Sequence, residues 1–141
     1  MALLFQPKPR SVIFCNFTGF IAPEIVKRRP VVILATHKRN SKLVTVVPLS
    51  TTAPDPIEAH HYRFRQNPLP DARDREVWAK CDMVAVVSIQ RLDLLHTGRD
   101  ANGKRQHLHL NIGSDHFDSI RHCVASALGL LSLTGSNPAV L

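Results

Sequence analysis

Two β-branched runs, each bounded by proline, constrain this chain more than any other feature. Arg29-Pro30-Val-Val-Ile-Leu-Ala-Thr36 and Leu43-Val-Thr-Val-Val47-Pro48 are separated only by the polar stretch His37–Lys42. Valine and isoleucine lose side-chain freedom in a helix but pack well on a pleated surface, and proline interrupts a helical ladder. So short a polar connection suits a hairpin. The pair therefore reads as antiparallel strands. Their continuous apolar character fits strands buried on both faces or in a closed barrel.

The rest of the chain can be read around that hairpin. Val12–Phe17 is a third strand. Thr51–Asp74 is rich in proline (Pro54, Pro56, Pro68, Pro70) and reads as a long loop holding one short strand, His61–Phe64, a candidate lid or binding loop. Val77–Ser88 is apolar apart from Lys80-Cys81-Asp82. Asn102-Gly103 signals a hairpin turn, and His107–Ile112 alternates like a half-exposed strand. One helix is expected, capped by Ser114, with Asp115 and Asp118 at its positive end and Gly129 closing it. Its apolar stripe is Phe117, Ile120, Val124, Ala127, Leu128 and Leu131. Residues 1–141 read as a single domain with a core over about 10–131; residues 132–141 are expected to be a frayed tail.

Composition narrows the function classes. With 44% hydrophobic and 21% charged residues, the chain is not a disordered or collagen-like polymer. No apolar run reaches the ~18 residues that cross a membrane, and the start is too short for a signal peptide's apolar core. A cytoplasmic protein is expected. Cys15, Cys81 and Cys123 are odd in number and widely spaced, which suits buried hydrophobes better than a disulfide or zinc framework. The formal charge of +7 comes from the first half, in Lys27-Arg28-Arg29 and Lys38-Arg39-Asn40-Ser41-Lys42. A one-sided field of this kind favours a polyanionic partner, although a basic surface also serves solubility.

Several residues are candidates for chemistry. Arg29 precedes a strand-opening proline, which holds it extended and aims its guanidinium outward; a solvated surface pair with Arg28 is the plain alternative. Ser50, Thr51 and Thr52 follow Pro48 at the end of a strand. They form either a turn of side-chain-to-backbone bonds or the wall of a pocket beside the arginine. Lys80 and Asp82 share a face inside an apolar stretch and need solvent or partners, such as a cross-strand ion pair. His60-His61 and His107-x-His109 raise the question of a metal, but neither pair has a third ligand at convincing spacing, and none is expected. No glycine-rich phosphate loop or dinucleotide fingerprint is present.

In order and spacing, these blocks resemble the MazF/PemK family, the ribosome-independent mRNA-cleaving toxins of bacterial type II toxin–antitoxin pairs. The resemblance rests on Ile13–Phe17, Glu24 with Arg29-Pro-Val-Val-Ile-Leu34, Val46-Val-Pro-Leu-Ser-Thr-Thr52, Cys81-Asp82-Met-Val84 and Ala127-Leu-Gly-Leu130. It implies a mainly β fold, an SH3-like (CcdB/MazF-type) small barrel with a C-terminal helix, usually homodimeric. The implied activity is endoribonuclease cleavage of single-stranded RNA without metal or cofactor. The ribose 2′-hydroxyl attacks, leaving a 2′,3′-cyclic phosphate and a 5′-hydroxyl. A cognate antitoxin is the implied protein partner. Arg29 and Ser50 match the family's catalytic arginine and Ser/Thr, and Asp82 an acidic position used in some members, with Lys80 where those members carry Arg. Lys27, Arg28, Lys38, Arg39, Lys42, Thr51, Thr52 and Lys80 are the expected RNA contacts, and His37 or His61 a candidate base. Some positions depart from the pattern. Arg10-Ser11 replaces Gly-Asp/Glu, Asn16 replaces Asp, Met83 replaces Gln and Ala85 replaces Arg, while Gly98–Gln106 is an insertion. The loss of polar groups at 83 and 85 keeps open a non-catalytic RNA- or protein-binding member of the fold, gyrase-targeting or regulatory.

Overall fold

The computed structural model describes residues 3–70 and 74–134. Ten strands and two helices follow in order: β1 Ser11–Cys15, β2 Arg29–Thr36, β3 Leu43–Ser50, β4 His61–Arg63, β5 Trp78–Lys80, β6 Ala85–Ser88, β7 Leu92–Asp93, β8 Leu95–Arg99, β9 Arg105–Leu108, β10 Leu110–Asn111, α1 Ser114–Ala127 and α2 Leu131–Thr134. The main sheet runs β10-β1-β2-β3-β5-β4, with β6 also on β3 and β7 also on β1; β8 and β9 form a separate hairpin. Among the described residues the end strands β10 and β4 do not pair, so the sheet stays open.

Strand β3 explains why the sequence shows an unbroken apolar run. Its first half pairs with β6 and its last two residues with β5, while β2 follows its other edge. Its alternate side chains enter two different cores. Val47 and Leu49 join Val32, Ala79, Phe64 and the helix residues Phe117, Ile120, Cys123 and Val124. Val44 and Val46 join Val31, Ile33, Ile13, Phe17 and Val87. A strand buried on both faces has no polar side to alternate with.

The helix starts differently from expectation. Gly113 takes the cap position in an extended conformation, and Ser114 is already helical, without a side-chain cap bond. The Ile112 N–H pairs with the Arg10 carbonyl, which keeps the chain extended up to that point. At the other end Gly129 turns left-handed at φ +72, as its expected closing role requires. The buried stripe is Phe117, Ile120, Cys123 and Val124; Leu128 lies beyond the helix and is exposed. The apolar stretch Val77–Ser88 is two strands separated by a turn in which Met83 N–H donates to the Lys80 carbonyl. His107–Ile112 also divides, with β9 pairing β8 and β10 pairing β1. Of the expected frayed tail, residues 132–134 belong to α2 and 135–141 lie outside the described residues.

All three cysteines are buried and free. Burial pushes the Cys15 thiol up to about 12 and raises Cys81 and Cys123 as well, so none is a ready thiolate nucleophile. No helix among the described residues is long and apolar enough to cross a membrane.

Candidate active site

Ladder register decides which side chains share a face. Across β2 and β3 the ladder ends with Val31 opposite Pro48; Arg29 and Ser50 each lie two residues beyond that pair, and the same register continued would set them opposite each other. Ser50 pairs in turn with Trp78 of β5, and Trp78 with Arg63 of β4; in the next row Lys80 faces His61. Opposed residues point to the same side of a sheet, as do alternate residues along a strand. Arg29, Ser50, Trp78, Arg63, Lys80 and His61 therefore project from one face. Leu49, Ala79, Tyr62 and Phe64 project from the other, into the core under α1. Arg29 lies three strand spacings from Arg63, and His61 sits two residues further along β4, which puts Arg29 and His61 roughly 16 Å apart at about 4.8 Å per strand and 3.3 Å per residue.

Arg29 is half-buried and makes no hydrogen bond or ion pair among the described residues. Ser50 is buried, and its Oγ accepts the Thr52 N–H at 3.1 Å, with the Thr52 carbonyl at 3.4 Å. The turn of side-chain-to-backbone bonds is therefore present at Ser50. Thr51 is half-buried and Thr52 exposed on the same turn.

The expected RNA contacts do not form one cluster. Arg28 leaves β2's start on the opposite side from Arg29. Its guanidinium lies 4.1 Å from the Phe14 ring centroid and 3.6 Å from Asp93. Lys38, Arg39 and Lys42 sit on the exposed β2–β3 turn, at the far end of an eight-residue strand. At about 3.3 Å per residue that is roughly 25 Å from Arg29. His37 is on the same turn, its Nδ1 accepting the Asn40 N–H, too far away to act beside Arg29. Lys27 is exposed in the β1–β2 loop, and Lys80 lies on the Arg29 face.

Next to Lys80 a polar cleft of about 500 Å³ opens between the β1–β2 loop, the β3–β4 loop and the β5–β6 turn; Asp55, Glu58, His60, His61, Lys80 and Asp82 are among its walls. A smaller cleft of about 240 Å³, lined by Phe17, Phe20 and Glu24, shares Ile25, Asp82 and Met83 with it. The Asp82 carboxylate sits between two imidazoles, with Oδ2 3.5 Å from His60 Nε2 and Oδ1 3.8 Å from His61 Nε2. The His60 and His61 rings lie 4.3 Å apart. Sequence spacing does not connect this pair to Asp82, because β4 and β5 meet only after the long connection between them.

By distance, His60, His61 and Asp82 are close enough to share a metal ion. The donor set does not fit one. His61 Nδ1 accepts the Glu58 backbone N–H at 3.0 Å, so the ring proton sits on Nε2, the nitrogen that would have to ligate. Metal-bound histidines normally donate through their second nitrogen, the reverse of this arrangement. His107 lies on β9 and His109 in the link to β10.

Burial, then the neighbouring His60, holds His61 below the usual 6.5; burial, then Arg105, does the same for His96. A histidine depressed in the fold takes up its proton more readily in the unfolded chain. Stability should therefore fall as pH drops below about 6.5, until the folded rings protonate too. Thermal melts from pH 7.5 to 5 should show this slope, and a His61→Gln/His96→Gln double variant should flatten it. A slope unchanged in the double variant would place the sensitivity elsewhere.

A family model for PemK-like, MazF-like toxins of type II toxin–antitoxin systems matches residues 8–125. The chain belongs to that family. An uncharacterised Escherichia coli K12 protein, YifN, is 35% identical over 70% of this chain and 80% of its own length. Among solved structures, MazF from Deinococcus radiodurans has a TM-score of 0.61 at 16% identity, over 87% of this chain and 96% of its own. A mycobacterial endoribonuclease solved with its cognate antitoxin has a TM-score of 0.57 at 17% identity, over 88% and 96%. At such identities the likeness is one of fold, and this MazF-like toxin has the expected mainly β architecture with a C-terminal helix.

Proposed function

We propose that this toxin-family protein is a metal-independent endoribonuclease acting on single-stranded RNA in the cytoplasm. Its Arg29 face would bind the scissile phosphate. The observation that carries this reading is the β2–β3 register, which continued past Val31 and Pro48 would set an unpaired Arg29 against Ser50, with Lys80 on the same face and the Asp82 cleft next to it. Attack of a 2′-hydroxyl on phosphorus builds negative charge on the non-bridging oxygens. A guanidinium meets two such oxygens at once, so Arg29 is the stabilising donor. Ser50, held rigid by its turn, orients the phosphate. Lys80 supplies a proton donor, and Asp82 the acidic group. Thr51, Thr52 and Lys27 border this path. Lys38, Arg39 and Lys42 would engage the strand several nucleotides away, while Arg28, tied to Phe14 and Asp93, would serve the fold more than the RNA.

A homodimer and a cognate antitoxin complete the reading. Val86 on β6, with Leu128 and Leu130 after α1, leaves apolar surface exposed that self-association would cover. An acidic, apolar-anchored antitoxin segment would complement the basic first half of the chain. Long RNA incubated with the protein in excess EDTA tests the enzyme reading. Discrete fragments are expected. RNA left intact across varied sequences, but bound tightly, would instead favour a non-catalytic binder.

A further inference from the structure

Cleavage by 2′-hydroxyl attack needs a proton acceptor, and the Arg29–Ser50 pair has none: a guanidinium holds its protons and a serine hydroxyl is a weak base at neutral pH. Besides the carboxylates of Asp55 and Glu58, three groups gathered in the cleft could accept a proton, His60, His61 and Asp82, and their contacts separate them. His61 has its Nδ1 occupied by the Glu58 N–H, and its Nε2 lies 3.8 Å from Asp82 Oδ1. Its basic nitrogen, Nδ1, is thus engaged by the backbone and turned away from an incoming 2′-hydroxyl. Asp82 has one oxygen toward each imidazole. His60 has its Nε2 toward Asp82 Oδ2, no partner on Nδ1 among the described residues, and a side chain 24% exposed in the cleft wall.

We propose that His60 is the general base of the reaction, accepting the 2′-hydroxyl proton on Nδ1, and that Asp82 is a positioning residue that fixes its tautomer. A carboxylate beside Nε2 favours the form with the proton there, leaving the Nδ1 lone pair outward, and stabilises the imidazolium once it forms. His61, anchored by Glu58, holds the other carboxylate oxygen. The remaining charged groups in the cleft wall are Asp55, Glu58 and Lys80. This inference rests on the ribonuclease reading above. The step balances: the 2′-oxygen gives its proton to His60 Nδ1 and bonds to phosphorus. The bond from phosphorus to the 5′-oxygen breaks, and that oxygen takes a proton from the Lys80 ammonium. His60 then releases its proton to water and Lys80 regains one.

The test uses the full chain and an oligoribonucleotide spanning a bond that wild type cuts in long RNA. His60→Ala should lose roughly 10²- to 10⁴-fold in turnover, the range for a general acid or base. Free imidazole should restore part of the rate, in proportion to its neutral form. The defect should persist on the same RNA carrying a bridging 5′-sulfur, whose departure needs no acid. Asp82→Asn, which keeps the shape, should lose activity at neutral pH and should not respond to imidazole, because His60 still fills the position. Wild-type turnover in His60→Ala would overturn the proposal. So would a defect abolished by the 5′-sulfur, which would mark an acid, or a defect that imidazole leaves untouched in a variant melting like wild type. If His60→Ala does not fold, Asp82→Asn decides: undiminished neutral-pH turnover overturns the proposal. Wild type cutting no RNA would instead overturn the ribonuclease reading beneath it.

Discussion

Arg29→Ala should lower turnover on RNA by roughly 10² to 10³, the scale for losing one preorganised donor to a transition-state oxyanion. Affinity should change little, because Lys27, Lys80 and the cations of the β2–β3 turn still meet the backbone. Arg29→Lys should not restore the rate, since an ammonium lacks the planar fork that spans two phosphate oxygens. Arg28→Ala is the paired control. Its side chain is stacked over Phe14 and paired with Asp93, so the variant should keep turnover and lose some stability instead. Single-turnover kinetics with saturating protein separate the two effects. If Arg28 were essential and Arg29 dispensable, the face assigned to catalysis would be the wrong one.

Ile120→Ala should destabilise the fold by about 2–5 kcal/mol, the range for truncating a buried aliphatic side chain to alanine. Ile120 is fully buried in the core that joins α1 to Leu49, Ala79 and Phe64, whose strands carry the Arg29 face on their other side. The loss should be uniform, with no separate early transition, because β3 feeds both cores and the sheet cannot detach from the helix alone. Ile57→Ala, at an exposed position in the β3–β4 loop, should stay within about 0.5 kcal/mol of wild type. Urea midpoints read both. A negligible effect of Ile120→Ala would mean that the helix is not seated on the sheet as described.

The hairpin of β2 and β3 was legible because both of its strands are local, apolar and proline-bounded, and its turn is short. From it came Arg29 and Ser50, and their juxtaposition followed from the register of one hairpin. The face beyond them was not legible. His61 meets Lys80, and Trp78 meets Ser50, through pairings between segments far apart in sequence. No periodicity within either segment encodes such contacts. His60 and His61 stood out in the sequence only as a metal question. What gives them meaning is the Asp82 carboxylate between them and the backbone N–H on His61 Nδ1. Cap chemistry failed for a local reason: Ser114 is a good cap residue, but the pairing of Ile112 with Arg10 brings Gly113 to the cap position instead. The basic clusters were visible as charge, yet charge alone could not say that Arg28 points into a Phe14–Asp93 contact while Lys38 and Arg39 lie a strand's length from Arg29.

The most direct test of the account replaces a single 2′-hydroxyl. An oligoribonucleotide spanning a bond that wild type cuts is compared with one carrying 2′-deoxyribose only at the nucleotide on the 5′ side of that bond. The account predicts that the first yields a 2′,3′-cyclic phosphate and a 5′-hydroxyl in excess EDTA, and that the second stays intact while binding almost as well. Cleavage of the deoxy-substituted strand at the same bond would show that the 2′-hydroxyl is not the nucleophile and would contradict the mechanism assigned to the Arg29 face.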